Sequence, residues 1–137
     1  MSVPAGITEE ALGRLVGRFY ARVREDSLLG PVFDRAIDDW PEHLERLTAF
    51  WSSVMLTSGR YKGRPLPAHI KHAEAIDARA FDRWLVIWKQ TTDRLLDLQS
   101  AALLQGKAAR IAESLALGIQ FSRDPKAALA GAPRAAA

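Results

Sequence analysis

The chain has 137 residues, of which 48% are hydrophobic and 26% are charged, a balance typical of a single globular domain. It contains no cysteine, which excludes disulfides, iron–sulfur clusters, thiolate zinc sites and haem attached through a C-x-x-C-H motif. The net charge of +3 is modest and charges of both signs are interspersed, so we expect no nucleic acid among the partners.

The apolar segments of the chain are short. No run approaches the roughly 18 residues that a membrane span needs, so we expect no membrane association. The first ten residues, MSVPAGITEE, contain no basic segment followed by an apolar one, and we therefore expect no secretory signal. The absence of cysteine is compatible with a reducing compartment, and we expect a cytoplasmic protein.

The first predicted helix covers Ile7 to Arg24. Thr8 is a favourable N-cap residue, and Glu9 and Glu10 suit the first turn, where the helix dipole carries partial positive charge. The apolar residues recur at helical spacing and define the face that we expect to be buried. They are Leu12, Leu15, Val16, Phe19, Tyr20 and Val23.

A short second helix is predicted after a turn over residues 26–30. Pro31 suits the first turn of a helix, because its ring fixes a helical φ and its missing N–H is not needed there. This helix carries Val32 and Phe33.

The third predicted helix begins after Asp39, with Pro41 in its first turn, and runs to about Thr57. An aspartate cap followed by proline is a strong helix-start pattern. His43 lies four residues before Leu47 and therefore shares the apolar face of this helix. That face consists of Leu44, Leu47, Phe50, Trp51, Val54 and Met55.

Residues 58–67 predict a loop, because Gly59 and Gly63 interrupt the helical pattern. The cations of this loop are Arg60, Lys62 and Arg64. The proline-rich end of the loop leads into a short helix that holds His69 and His72.

Two further helices are predicted, one from Ala78 to Leu98 with Asp77 as its cap, and one from Ser100 to Phe121. The inward positions of the former are Phe81, Trp84, Leu85, Trp88 and Leu95. Those of the latter are Leu103, Leu104, Ile111, Leu115 and Ile119. The alanine-rich residues 123–137 have too little bulky apolar surface to offset the entropy of ordering, so we expect a disordered tail. No strand is predicted, and the expected fold class is all-α with five or six helices.

Two of the three histidines, His43 and His69, lie on separate segments with bulky aromatic residues between them. This pattern suggests a pocket in which a ring-shaped cofactor sits between two nitrogens. His69 could approach a haem iron from a short, rigid helix, or it could be a partly exposed surface histidine. His72, three residues later, is a competing ligand. The His-x-x-His pair could also bind zinc, but a zinc or di-iron site needs further donors.

Further side chains could complete such a pocket. Tyr20, His43 and Trp84 carry polar groups that could donate hydrogen bonds to a diatomic gas. Each of them is also compatible with ordinary packing in the core or at its boundary. The cations of the loop could pair with haem propionates or remain solvated. Apolar walls would come from Phe33, Leu47, Phe50 and Trp51.

Four segments of the chain together carry a family resemblance. They are FYARVREDSLLGPVF at 19–33, WPEHLERLTAFW at 40–51, GRYKGRPLPAHI at 59–70 and AFDRWLVIW at 80–88. Each is weak alone, but in this order and spacing they resemble the truncated haemoglobins, and within them the third group of bacterial two-over-two globins. The resemblance covers roughly Thr8 to Phe121. It implies a globin domain over residues 1–122, folded as a two-over-two helical sandwich.

The resemblance also implies a cofactor, a non-covalent haem b (iron protoporphyrin IX). It implies that His69 ligates the iron. The distal polar group that faces the bound gas is implied to be Tyr20, His43 and Trp84. The matches that close or line the haem pocket are Phe33, Leu47 and Trp51. The additional histidine at His72 departs from the family pattern.

Three functional hypotheses follow. The leading one is a haem protein that reversibly binds dioxygen, CO or NO, with no catalytic residue. The second is an NO dioxygenase or peroxidase-like enzyme, which would need a separate electron-donating reductase because the chain has no flavin or nicotinamide fingerprint. The third is a cofactor-free basic helical interaction module that binds through the GRYKGR loop. We expect a monomer or a weak dimer.

Overall fold

The structure is a computed structural model that describes residues 3–63 and 78–123. Within these ranges the chain forms helices and no strand, so the all-α prediction is confirmed. The helices are α1 (Glu9–Glu25), α2 (Leu29–Ala36), α3 (Trp40–Leu56), α4 (Ala78–Leu95) and α5 (Leu98–Arg123). No helix of the described ranges combines the length and the apolarity that crossing a membrane requires.

Two helix starts are capped by the side chains that the sequence indicates. The Thr8 hydroxyl accepts a hydrogen bond from the Ala11 N–H at 3.1 Å, at the start of α1. The Asp39 carboxylate accepts one from the Glu42 N–H at 3.1 Å, at the start of α3. Both caps satisfy N–H groups that the first turn of a helix leaves without a partner.

The second helix begins earlier than predicted, at Leu29 rather than Pro31. The reason is the Asp26 carboxylate, which accepts hydrogen bonds from the N–H groups of Leu28 and Leu29 at 3.1 and 3.0 Å. Pro31 then falls later in the first turn, where its missing N–H still costs nothing.

The boundary between the last two helices was predicted wrongly. The fourth helix ends at Leu95, and α5 begins at Leu98 instead of Ser100. The Asp97 carboxylate accepts the Ser100 N–H at 3.1 Å and so starts α5. Leu98 therefore lies in the first turn of α5 and is 89% exposed.

The buried face of α5 was also predicted wrongly at Leu103, which is 39% exposed, whereas Leu104 is fully buried. Much of this face consists of small side chains, which a search for bulky apolar residues does not register. They are Ala101, Ala108 and Ala112. Small residues allow α5 to pack closely against α4.

The helices form two packed pairs, α1 with α3 and α4 with α5, and contacts of α1 with α4 join the pairs. This is the two-over-two arrangement, with α2 packed against α1 and α4. A β-carbon added at Gly30 would lie 2.7 Å from the carbonyl oxygen of Arg24, so only glycine permits the close approach of α2 to the end of α1. That approach places the wall of α2 beside Tyr20.

Candidate functional site

A cavity of about 860 Å³ lies among the helices, and each of the five contributes to its lining, as does the segment 60–63. Its size falls within the roughly 300–1,000 Å³ of typical cofactor and ligand pockets. The apolar face of α3 explains its position. Leu47 and Phe50 are half-buried, because they border the cavity while they also pack against the hydrophobic core.

The structure brings the described residues of the predicted site together. Those that line the cavity are Tyr20, Phe33, His43, Leu47, Phe50, Trp51, Arg60, Lys62 and Trp84. The predicted iron ligand His69, its competitor His72 and the predicted propionate partner Arg64 lie outside the described residues. Among the residues that are described, no group of three or more His, Cys, Asp or Glu side chains is placed to hold a metal ion.

Tyr20 is the most deeply buried hydroxyl of the cavity wall, with 4% of its surface exposed. Burial raises the pKa of its phenol well above the ordinary value, and a hydrogen bond with the Trp84 side chain lowers it only in part. An indole N–H can only donate, so Trp84 donates to the Tyr20 oxygen. The phenol of Tyr20 therefore keeps its proton at neutral pH.

His43 lies in the same wall. Its ring meets the Tyr20 ring edge-on at 5.3 Å between centroids, and the Phe33 ring is 6.4 Å away. The Nε2 atom of His43 is buried. The sequence left the orientation of this side chain open, and the structure turns it into the aromatic wall beside Tyr20.

Three stacked tryptophans connect α3 and α4, which form two walls of the cavity. Trp88 stacks on Trp84 at 5.5 Å and on Trp51 at 4.7 Å, with interplanar angles of 6° and 19°. Trp88 is itself fixed, because its indole N–H donates to the Leu104 carbonyl at 3.1 Å. Trp84 on α4 and Trp51 on α3 consequently keep a set separation, which preorganises the cavity.

Residues 60–63 form a mostly exposed part of the cavity lining, which we call the mouth. Arg60 forms an ion pair with Glu9, whose carboxylate also accepts the hydroxyl of the buried Ser52. The Tyr61 N–H donates to the Ser53 hydroxyl at 2.9 Å. These contacts tie the mouth to α1 and α3, and the mouth adds the cations Arg60 and Lys62 to the cavity lining.

Several lining residues were missed by the sequence analysis. The polar ones are Glu42, Glu45, Arg46 and Tyr61. Arg46 lies three residues after His43, so helical spacing could have placed it on a neighbouring face. Small residues line the cavity too, and they carry no signal in the sequence because they create space rather than fill it. They are Ala36, Ala80 and Ala112.

Comparison with known proteins indicates which class of protein the chain is similar to. No protein-family model matches the chain. The chain is 29% identical over 110 residues to the group 3 truncated hemoglobin ctb of Campylobacter jejuni subsp. jejuni serotype O:2, which covers 77% of this chain and 86% of that protein. It also matches the crystal structure of group III truncated hemoglobin from Campylobacter jejuni with a TM-score of 0.74 and 29% identity, over 85% of this chain and 93% of the other.

The helical arrangement and these similarities define an all-α globin fold. Within the globins, the chain is similar to group III of the truncated haemoglobins.

Proposed function

We propose that this globin holds a haem b in the cavity and reversibly binds dioxygen, CO or NO at the iron. The observation that carries the proposal is the lining of the cavity. It combines the polar groups of Tyr20, His43 and Trp84 with apolar and aromatic walls and with cations, and it also includes the carboxylates of Glu42 and Glu45. The apolar walls and the cations suit a flat apolar ring with an anionic edge, and the polar groups suit a small gas bound to it.

The walls and the mouth fit the two chemical parts of the cofactor. Phe33, Leu47, Phe50 and Trp51 would contact the apolar faces of the porphyrin. Its propionates would lie near the cations at the mouth. Lys62 is the better candidate partner for a propionate, because Arg60 already forms an ion pair with Glu9. Arg64 is proposed as a further partner on the basis of its position in the GRYKGR segment.

His69 is the proposed iron ligand. Support comes from the LPAHI segment, which resembles the Pro-Leu-rich stretch before the ligand histidine of the truncated haemoglobins. We propose residues 1–122 as the globin domain that positions this ligand against the cavity.

Haem iron, when bound, supplies an open coordination position at which a diatomic gas binds. The chain supplies the surroundings of that position. Tyr20 receives a hydrogen bond from Trp84 at its oxygen, which leaves its own proton to be donated to the gas. His43, beside Tyr20 in the wall, is the second candidate donor. A preorganised donor stabilises a partly negative bound oxygen and slows its release.

Titration with haemin, followed by absorption spectroscopy, tests the proposal. We expect stoichiometric uptake with a Soret band distinct from that of free haemin, and a further shift when CO is added to the ferrous form. Ala36→Trp, which fills the cavity from α2, should weaken haemin uptake. Ala109→Trp, at an exposed position on α5, is the control and should not. A spectrum that stays that of free haemin would refute the proposal.

A further inference from the structure

Trp40 lies behind the cavity wall, on the side of the donors. Its ring meets the ring of His43 edge-on at 5.5 Å, and the ring of Tyr20 is 6.0 Å away. Among the described residues that line the cavity, Tyr20 and His43 are present and Trp40 is absent. Trp40 is half-buried. It therefore packs against these two residues from outside the cavity lining and is itself partly exposed to solvent.

The outer side of Trp40 is held by a cation. The guanidinium carbon of Arg24 lies 4.5 Å from the centroid of the Trp40 ring, which is a cation–π contact. Arg24 is exposed and lies one helical turn after Tyr20 on α1. The backbone of Arg24 lies close to Gly30, because a β-carbon added there would be 2.7 Å from the Arg24 carbonyl oxygen.

We infer that Trp40 and Arg24 form a displaceable cover over His43. In its closed position the cover shields His43 from solvent and holds the imidazole in the cavity wall. Displacement of the cover lets a diatomic gas pass His43 into the cavity. The shielding of His43 is independent of any cofactor, whereas the passage of the gas rests on the proposed function.

The position of the cover favours movement over permanent packing. Trp40 is the first residue of α3, so the helix continues only on its C-terminal side. Its ring contacts the rings of His43 and Tyr20, and the exposed side chain of Arg24 lies over it. Trp40 and Arg24 act through His43, so they are positioning residues and are not expected to touch the gas.

Arg24→Gln tests the inference because it removes the cation and keeps a side chain of similar length. Two readouts apply to the full chain after incubation with haemin. One is the rate at which diethyl pyrocarbonate modifies His43, located by peptide mass spectrometry. The other is the CO association rate after flash photolysis. We expect each to rise about two- to fivefold, the equivalent of a cation–π contact of about 0.5–1 kcal/mol.

Matched variants separate the cover from general effects of charge. Arg18→Gln removes a cation from an exposed position on the same helix and should leave both rates at the wild-type value. Arg24→Lys keeps the cation and should restore most of the wild-type behaviour. Trp40→Ala should raise both rates more than Arg24→Gln does.

Each outcome decides part of the inference. Equal His43 modification in wild type, Arg24→Gln and Trp40→Ala would overturn the cover. Faster modification with unchanged CO association would overturn the passage of the gas beneath it. A chain that binds no haemin but shows faster His43 modification in Arg24→Gln would refute the proposed function and support the cover.

Discussion

The inner side of the cavity and its mouth are built from different interactions. Around Tyr20 the side chains are buried, and they are fixed by contacts between helices that are distant in sequence. Around Arg60 they are mostly exposed, and they are held by an ion pair with Glu9 and by the hydrogen bond from the Tyr61 N–H to Ser53. The difference predicts that the proposed gas binding depends on tertiary packing around Tyr20, while the mouth contributes charge that neighbouring side chains could replace.

The energetics of the two regions differ accordingly. Both partners of the ion pair between Arg60 and Glu9 are 44% exposed in their side chains, and pairs of this kind contribute about 0–1 kcal/mol and are screened by salt. Buried aromatic pairs such as Trp51 with Trp88 add about 0.5–1.5 kcal/mol beyond their buried area. Changes at the inner side should therefore have the larger consequences.

The largest expected effect concerns the proposed iron ligand, His69, which follows residues 60–63 along the chain. His69→Ala should abolish the iron–histidine stretching band in the resonance Raman spectrum of the ferrous protein. His72→Ala should retain that band. The opposite pattern would make His72 the ligand and would overturn the assignment drawn from the LPAHI segment.

A pair of tyrosine variants compares the two regions directly. Tyr20→Phe should raise the dioxygen dissociation rate about five- to 150-fold, if a hydrogen bond of about 1–3 kcal/mol is lost from the bound state alone. Tyr61→Phe makes the same chemical change at the mouth and should leave the rate near the wild-type value. Stopped-flow displacement of dioxygen measures both. Equal effects of the two variants would remove the distinction between the regions.

A pair of glycine variants tests how the α2 wall is held beside Tyr20. Gly30→Ala would place a β-carbon 2.7 Å from the Arg24 carbonyl oxygen, and we expect a loss of about 1–3 kcal/mol in unfolding free energy. Gly106→Ala is the control, because a β-carbon at that position in α5 meets nothing within 4 Å. It should stabilise the helix by about 0.5–1 kcal/mol. Urea unfolding measures both, and equal stabilities would refute the close-packing account.

A smaller effect is expected in the acid range, from the carboxylate that starts α2. Burial opposes ionisation of Asp26, but the N–H groups of Leu29 and Leu28 and the guanidinium of Arg83 together lower its pKa. A lowered folded-state pKa means that the stabilisation is present above the unfolded value of about 4 and is lost as the pH falls through the folded value.

Asp26→Asn should therefore flatten the loss of unfolding free energy below about pH 4, as measured by urea unfolding at a series of pH values. Asp82→Asn removes a carboxylate from an exposed position on α4 and controls for the change in net charge. An acid slope that is the same in Asp26→Asn and wild type would contradict the role of this carboxylate.

The sequence predicted local structure best where one side chain acts on its own helix. Thr8 and Asp39 cap their helices as expected, because a cap needs only a residue three positions away. The start of α2 was wrong for a related reason. Asp26 is also a capping side chain, but the more conspicuous Pro31 drew the prediction to a later residue.

The composition of the candidate site came mainly from the family resemblance. Periodicity placed Tyr20 and Trp84 on apolar faces of two helices, but it could not show that they meet across the cavity. The cover was not predicted at all. Trp40 was recognised only as the beginning of a helix, because its contacts with His43 and Arg24 depend on how α1 and α3 pack.

The infrared spectrum of the CO-bound protein tests most directly the central claim that Tyr20 points its proton at a gas on haem iron. A donor near the oxygen of CO polarises the bond and lowers its stretching frequency. We predict a shift to higher frequency in Tyr20→Phe and no shift in Tyr61→Phe. A C–O band at the same frequency in wild type and Tyr20→Phe would contradict the account.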